Sequence, residues 1–302
     1  MAKRRKVQGG KPQQRAAPKA AGKRQHSNTQ GSASTKSSAP QPAKKTQEQH
    51  LEPTIPFEPE HKILLVGEGD LSFATSLIDH HFCADVTATV LEKDFDELVS
   101  KYPHVADNIA KIEAEGSRVL YNIDATAMKP FTAGTDSSDK SKGKSKKGGG
   151  GPGIMDRILF NFPHVGGKST DVNRQVRYNQ EMLVGFFKSA TPSLAPGGSI
   201  IVTLFEGEPY TLWNIRDLAR HSGLQVQRSF RFQARAYPGY HHARTLGVVR
   251  NKLTGEVTDS AWKGEDRPAR SYVFVRKDEV PATPSSTKKR PRGKEDDSSD
   301  DD

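Results

Sequence analysis

Residues 155–167 read MDRILFNFPHVGG, and this stretch decides the predicted fold. Its residues 158–160 are a short apolar run without polar alternation, which is typical of a strand covered on both faces in a parallel sheet. Residues 161–164 (NFPH) follow directly, and Pro163 requires the strand to end there in a non-helical turn. In open α/β sheets, ligands bind beyond such carboxyl ends. An amide, a ring and an imidazole there would suit a flat heterocycle, although asparagine and proline are also ordinary turn residues.

Strands and helices are predicted to alternate along the chain on both sides of this stretch. Strands are predicted at 62–66, 87–92, 119–123, 158–160, 199–205, 225–232 and 271–276, and helices from 72 onward and at 94–102, 173–190 and 212–221. This alternation predicts an α/β fold with a mostly parallel, doubly wound sheet, right-handed crossovers and helices on both faces.

The composition divides the chain into a core and two tails. The 302 residues carry a net charge of +10 and only 33% are hydrophobic, which is low for a wholly globular protein. Residues 1–54 are predicted to be a disordered basic tail, and residues 281–302 a second disordered tail that is first basic and then acidic. Residues 55–280 form the predicted domain, in which 133–153 (AGTDSSDKSKGKSKKGGGGPG) is a low-complexity insertion.

Several classes of protein are excluded or disfavoured by the same sequence. Cys83 is the single cysteine, so neither an intrachain disulfide nor a thiolate zinc site is expected. No apolar run is long enough to cross a bilayer, and the first residues lack the apolar segment of a secretory signal.

The clusters KRRK (3–6) and KKRPR (288–292) are typical of nuclear-import signals or phosphate contacts, with a merely solubilising tail as the alternative.

Gly67 and Gly69 lie where the first strand turns into the first helix, and glycines there allow a ligand to approach the backbone closely. Ser72 replaces the third glycine of the dinucleotide fingerprint, which disfavours a nicotinamide cofactor. Glu68 and Asp70 would suit a cationic ligand such as S-adenosylmethionine better than a phosphate. The alternative is a tight turn with two solvated acids.

Acidic residues also end the next two strands. Glu92 lies about 20 residues after the glycines, where an acid accepts hydrogen bonds from ribose hydroxyls. Asp94 is its close competitor. Asp124 follows the third strand and could accept the exocyclic amine of an adenine. Either Asp94 or Glu92 could instead cap a helix.

Together these motifs resemble the family of large-subunit (25S-type) rRNA uridine-N3 methyltransferases. The resemblance rests on LLVGEGDLSFATSL, KYP, DAT, RILFNFPHVGGKSTDVNRQVRYNQ, VTLFEGEPYTLWNI and YPGYHHARTLG, and it spans residues 61–276. It implies a Rossmann-like fold, S-adenosylmethionine as cofactor, and a nucleolar enzyme that methylates a uridine of large-subunit rRNA or of a pre-ribosome. A non-catalytic RNA-binding assembly factor that keeps the fold is the alternative.

Residues 161–164, which we call the NFPH corner, resemble the motif by which amino methyltransferases hold a planar nitrogen in line with the methyl group. Asn161 is the predicted orienting acceptor, and Phe162, Pro163 and His164 complete the predicted catalytic corner. The imide proton of uridine must leave before or during the attack, so a base is useful. His164 and Asp171 are the candidates, and a structural histidine is the alternative.

RNA contacts are predicted on two segments. Arg174 and Arg177, near the start of the helix after the corner, could hold phosphates or could form ion pairs on a solvated face. The aromatic and basic segment after the sixth strand is suited to stacking on a splayed base, through Tyr237, Tyr240, His241 and Arg244. Its adjacent histidines point to opposite faces of an extended chain, so no metal site is predicted. We further expect a monomer.

Overall fold

The computed structural model describes residues 52–133, 151–248, 254 and 264–279. The strands are β1 (Lys62–Leu65), β2 (Asp85–Thr89), β3 (Arg118–Leu120), β4 (Met155–Asn161), β5 (Leu194–Phe205), β6 (Leu224–Phe232) and β7 (Ala269–Arg276). The helices are α1 (Ser72–His81), α2 (Phe95–Lys101), α3 (Val105–Ala114), α4 (Val172–Ala190) and α5 (Ile215–His221).

The strands form one seven-stranded sheet in the order β3-β2-β1-β4-β5-β7-β6. Strands β1 to β5 pair in parallel, whereas β7 is antiparallel to both β5 and β6. The predicted α/β class and mostly parallel sheet are therefore confirmed. Because the chain winds outward from β1 in one direction and from β4 in the other, the loops after β1 and β4 diverge and leave a crevice between them.

Both faces of the sheet are covered, as the apolar run of β1 predicts. Ile63 and Leu65 belong to a core that contains α1 and α3, while Leu64 and Val66 belong to a second core that contains α4 and α5. Alternate residues of a strand point to opposite faces, so a strand buried on both sides must be apolar throughout.

The boundaries of several predicted elements need correction. The second strand ends at Thr89 rather than at position 92, so Glu92 lies in the loop beyond it. The fifth strand begins at Leu194, because Leu194 pairs with Met155 ahead of an irregularity in the β4–β5 register. Helix α3 was not predicted, although its buried Val105, Ile109 and Ile112 recur at helical spacing.

Nearly all of the predicted tails and most of the predicted insertion lie outside the described residues, which include residues 52–54 of the first tail. At the ends of the insertion, Thr132 pairs with Gly153 in an isolated antiparallel bridge. Among the described residues, no helix has both the length and the apolar character needed to span a membrane.

Replacing a ring in the second core tests this packing. Phe186 is fully buried against Phe160 and Phe187, with ring centroids at 4.8 and 5.6 Å. We expect Phe186→Ala to lower the free energy of unfolding by about 3–5 kcal/mol, because the cavity cannot collapse. Phe82→Ala is the matched control, since Phe82 is 75% exposed and its removal should change stability by less than about 0.5 kcal/mol. Equal losses in urea unfolding would contradict this assignment of the core.

Candidate active site

A cavity of about 590 Å³ lies at the crevice between the ends of β1 and β4. Its walls come from the loops after the first four strands, and they include every predicted cofactor residue and the whole NFPH corner. The residues concerned are Gly67, Gly69, Asp70, Glu92, Asp124, Asn161, Phe162, Pro163 and His164. The structure thus brings these side chains together, as their positions at successive strand ends predict.

The turn after β1 packs directly on β4. Gly67 has a φ of +64°, and a Cβ atom there would lie 2.8 Å from Cε2 of Phe160. Glycine is required at this position for both reasons, because a side chain would strain the backbone and displace the neighbouring ring. The backbone N–H of Glu68 donates to the carbonyl of Thr89 at 2.9 Å, which fixes the turn against β2.

The carboxyl groups of this turn are buried inside the cavity. Burial raises the pKa of Glu68 to about 8, with a further contribution from the negative charge of Asp70. Burial also raises the pKa of Asp70, although its carboxylate accepts hydrogen bonds from the backbone N–H and the hydroxyl of Ser72, at 3.1 and 2.7 Å. The desolvated acids form a region that would favour a positively charged ligand.

Glu92 and Asp124 form the wall on the side of β2 and β3. Glu92 is buried and forms an ion pair with Lys101, the last residue of α2. Asp124 is exposed, and its Oδ1 accepts hydrogen bonds from the backbone N–H and the hydroxyl of Thr126, both at 2.8 Å. Asp94 lies outside the residues that line the cavity, and its side chain accepts from the N–H of Glu97 as the cap of α2.

The NFPH corner combines an unpaired amide with a strained backbone. The side-chain nitrogen of Asn161 is buried and has no hydrogen-bond partner among the described residues, which is costly unless a ligand supplies one. Phe162 has a φ of +51°, an uncommon conformation for an aromatic residue. Its N–H donates to the carbonyl of Thr203 at 2.8 Å, and its ring packs on Phe205 and His242. Outliers of this kind concentrate at functional sites.

The hydrogen bonding of His164 bears on its chemistry. The backbone N–H of Gly166 donates to Nδ1 at 2.9 Å, so the neutral ring carries its proton on Nε2. Burial lowers the pKa of His164, which favours this neutral form. In this geometry Nε2 is a donor and not a proton acceptor. Asp171, the other candidate base, lies outside the lining residues and caps α4 by accepting from the N–H of Arg174 at 2.7 Å.

The predicted RNA-binding residues do not form one group. Tyr240 and His241 line the cavity, whereas Arg174, Arg177 and Arg244 are exposed and lie outside the lining residues. Tyr237 requires correction, because it is only 4% exposed and cannot stack on an RNA base. Its ring stacks on Phe232 at 5.4 Å and contacts Phe73 at 4.7 Å, as part of the first core.

Residues 240–248, which we call the strap, close one side of the cavity. The strap is tied to α1 by the hydrogen bond from the His241 N–H to the Ser72 hydroxyl, at 3.0 Å. It is tied to α2 by two bonds, one from the Tyr102 hydroxyl to the Arg244 carbonyl and the other from the Val248 N–H to the Lys101 carbonyl, at 2.8 and 3.2 Å. The strap also contacts the glycine turn, because a Cβ atom on Gly69 would lie 2.7 Å from that of Ala243.

Sequence reasoning assigned no role to several residues of this cavity. Lys101 and Tyr102 are such residues, and His242, which belongs to the segment predicted to stack on a base, lines the cavity as well. The first two belong to the KYP string that carries the resemblance, which was the available signal. Near the strap, Glu265 accepts from the backbone N–H of His242 at 2.7 Å and lies 3.6 Å from Nδ1 of His241. The described residues contain no group of three or more side chains that could hold a metal ion.

The sheet order, the antiparallel β7 and the cavity at the switch point define a Rossmann-like methyltransferase domain. Residues 64–244 match the family described as rRNA (uridine-N3-)-methyltransferase BTM5-like. The chain belongs to this family, and it is an rRNA methyltransferase that depends on S-adenosylmethionine.

Individual relatives and solved structures are also similar to the chain. The chain is 30% identical to the 25S rRNA (uridine(2634)-N(3))-methyltransferase of Saccharomyces cerevisiae, over 73% of this chain and 74% of that protein. It is 32% identical to the uncharacterized protein At4g26485 of Arabidopsis thaliana, over 63% and 85% of the two chains. Among solved structures, a TehB-like SAM-dependent methyltransferase from Corynebacterium glutamicum gives a TM-score of 0.36 at 11% identity, covering 72% of this chain and 82% of that one.

The contact between the strap and the glycine turn yields a rescue experiment. We expect Gly69→Ala to weaken S-adenosylmethionine binding by about tenfold, because the added methyl group overlaps Ala243 and displaces the strap. The double variant Gly69→Ala, Ala243→Gly should recover most of the affinity in isothermal titration calorimetry. If the single variant binds normally, or if the double variant shows no recovery, the strap does not close the cavity in this way.

Proposed function

We propose that this protein transfers the methyl group of S-adenosylmethionine to N3 of a uridine in large-subunit rRNA during ribosome biogenesis. The family supports the reaction, and one observation supports the location of the reacting base. The unpaired amide of Asn161 and the ring of His164 line the same cavity as the glycine turn and its buried acids. A polar corner for a planar base therefore adjoins a compartment suited to a cationic methyl donor.

The residues around the glycine turn fit the cofactor. Glu68 and Asp70 would attract its amino and sulfonium groups, Glu92 would accept from the ribose hydroxyls, and Asp124 from the adenine amine. The ion pair with Lys101 holds the carboxylate of Glu92 in place and occupies one of its oxygens, which leaves the other for the ribose. S-adenosylmethionine would supply an electrophilic methyl group there: its carbon–sulfur bond would break as N3 bonds the methyl carbon, leaving S-adenosylhomocysteine, and the imide proton would pass to solvent water.

The NFPH corner would orient the uracil. Its N3 is flanked by the carbonyl oxygens O2 and O4, and these take up negative charge as the imide proton leaves. His164 has a donor on Nε2, and the Asn161 amide has both a donor and an acceptor. We propose that these groups hold the ring edge and stabilise the developing charge, while Phe162 and Pro163 fix the shape of the corner.

The wider proposal concerns partners and location. We propose that Arg174, Arg177, Tyr240, His241 and Arg244 contact rRNA around the cavity, and that the protein works in the nucleolus as a monomer. A sulfonium already activates the methyl group for attack, so the proposed reaction requires no metal ion. Light scattering on the full chain and fluorescence microscopy of a tagged copy would test the monomer and the nucleolar location.

Substitution of Asn161 tests the role of the corner. Loss of a hydrogen bond that strengthens in the transition state costs about 2–4 kcal/mol, so Asn161→Ala should slow single-turnover methylation of an rRNA fragment by roughly 30- to 1000-fold. S-adenosylmethionine affinity should stay within about twofold of wild type, because the amide faces the base. Near-normal methylation would remove Asn161 from the active site.

His164→Ala distinguishes a donor from a base in the same assay. Because Nδ1 already accepts from Gly166, we expect a slower rate with an unchanged shape of the pH–rate profile. If the variant instead loses the low-pH limb of the profile, His164 is the base.

The buried acids predict a pH dependence of cofactor binding. A carboxyl with a pKa of about 8 is mainly neutral at pH 6, and a cation binds the carboxylate, so affinity should increase with pH and level off above about 8. Asp70 and Tyr240 face Glu68, and Tyr240 stays neutral because burial raises its pKa well above the usual value. Glu68→Gln should flatten most of this dependence in calorimetry between pH 6 and 9. An equally steep dependence in that variant would assign it to Asp70.

A further inference from the structure

A second cavity of about 350 Å³ lies beyond the end of β5, and we call it the β5 groove. Its walls are the end of β5 with Phe205 and Glu206, Tyr210 and Thr211 of the following turn, Arg216 at the start of α5, and Tyr272 of β7. Rings and a cation thus surround a space large enough for a nucleotide base. The first cavity accounts for the cofactor and the reacting base, and nothing in the proposed reaction uses this groove.

A continuous set of rings connects the β5 groove to the NFPH corner. Phe162 of the corner contacts Phe205 of the groove with ring centroids 4.5 Å apart, and Phe205 contacts Tyr210 at 5.4 Å. His242, which lines the first cavity, also lies 5.2 Å from Phe205. Lining residues of the first cavity, Phe162 and His242, are thus in direct contact with Phe205, a lining residue of the groove. A strand with one base in the corner would therefore bring its neighbouring nucleotide to the groove.

Two arginines are associated with the groove: Arg216 lines it, whereas Arg267 lies outside the lining and stacks on two rings of the wall. The guanidinium of Arg267 lies 4.1 Å from the ring centroid of Phe205 and 5.6 Å from that of Tyr210, and that of Arg216 lies 5.6 Å from Tyr272. Neither arginine has an ion pair with a carboxylate of the described residues. Glu206, the acid in the wall, is already paired with Arg270 at 2.7 Å. Arg216 is therefore the one charged lining residue of the groove without an ion pair among the described residues.

We infer that the β5 groove binds the nucleotide next to the target uridine in single-stranded rRNA, an inference that rests on the proposed function. A guanidinium stacked on one ring can present its other face to a base, and rings with arginines are the usual platform for unpaired bases. Arg267 and Tyr210 hold the neighbouring base, and Arg216 contacts its phosphate. The groove thereby selects unpaired RNA and positions the uridine in the corner.

Fluorescence anisotropy with two labelled oligonucleotides tests this inference on the full chain, in the presence of S-adenosylhomocysteine. One is the heptanucleotide AAAUAAA, and the other has abasic riboses on both sides of the uridine. Wild type should bind the intact strand at least about fivefold more tightly than the abasic strand. This factor corresponds to the ~1 kcal/mol contributed by one stacked base. Arg267→Ala should lose this preference, and Arg267→Lys should lose it as well, because lysine keeps the charge and lacks the planar face.

Arg216→Ala should weaken both strands by the same factor, since it removes a phosphate contact. Arg220→Ala is the matched control, because it removes an equal charge from the same helix, and Arg220 lies outside the groove and is paired with Asp217. Equal affinity of wild type for the two strands, or an unchanged preference in Arg267→Ala, would overturn the groove site. Methylation of an rRNA fragment by wild type is scored separately, so a failure of the proposed reaction is distinguishable from a failure of this site.

Discussion

The contact between Gly67 and Phe160 is the constraint on which the site depends. The loops after β1 and β4 diverge at the switch point. Before they diverge, the turn after β1 and the end of β4 are in contact, and there is no room for even a methyl group between Gly67 and the ring of Phe160. The glycine turn, proposed to hold the cofactor, and the NFPH corner are consequently held at one separation by core packing. The rate of transfer between two bound groups increases most when both are held in a fixed relative geometry. Here the packing of the sheet provides that geometry.

Much of this arrangement could be predicted from the sequence, because it depends on local patterns. The unbroken apolar runs of β1 and β4, followed by glycines and by a proline, indicate buried strands whose ends carry polar groups. What could not be predicted depends on contacts between distant segments. Tyr237 and Tyr240 lie three residues apart in the same aromatic and basic context, and both contact the rings of Phe73 and Phe232, yet only Tyr240 lines the cavity. The tautomer of His164 likewise depends on the hydrogen bond from the Gly166 N–H in the folded turn, which the sequence motif does not reveal.

The KYP string at the end of α2 contacts both the acid proposed to bind the ribose and the strap. Lys101 pairs with the acid assigned to the ribose and also accepts, through its carbonyl, the N–H of Val248 in the strap. Tyr102 ties the same strap through its hydroxyl. The acid proposed for the ribose and the strap are therefore both held by adjacent residues of one segment. The strap also carries His242, whose ring packs on Phe162, so the same set of contacts reaches the NFPH corner.

The bridge between Thr132 and Gly153 has a practical consequence for engineering. The two residues are paired, and the N–H of Ala133 donates to the carbonyl of Pro152 at 3.1 Å, so the chain leaves and re-enters the domain at one place. Loop length affects closure entropy only slowly, and β4 begins just after this point with its own pairing to β1. A reporter domain with adjacent termini could be inserted between these residues while the methyltransferase domain keeps both of its natural ends.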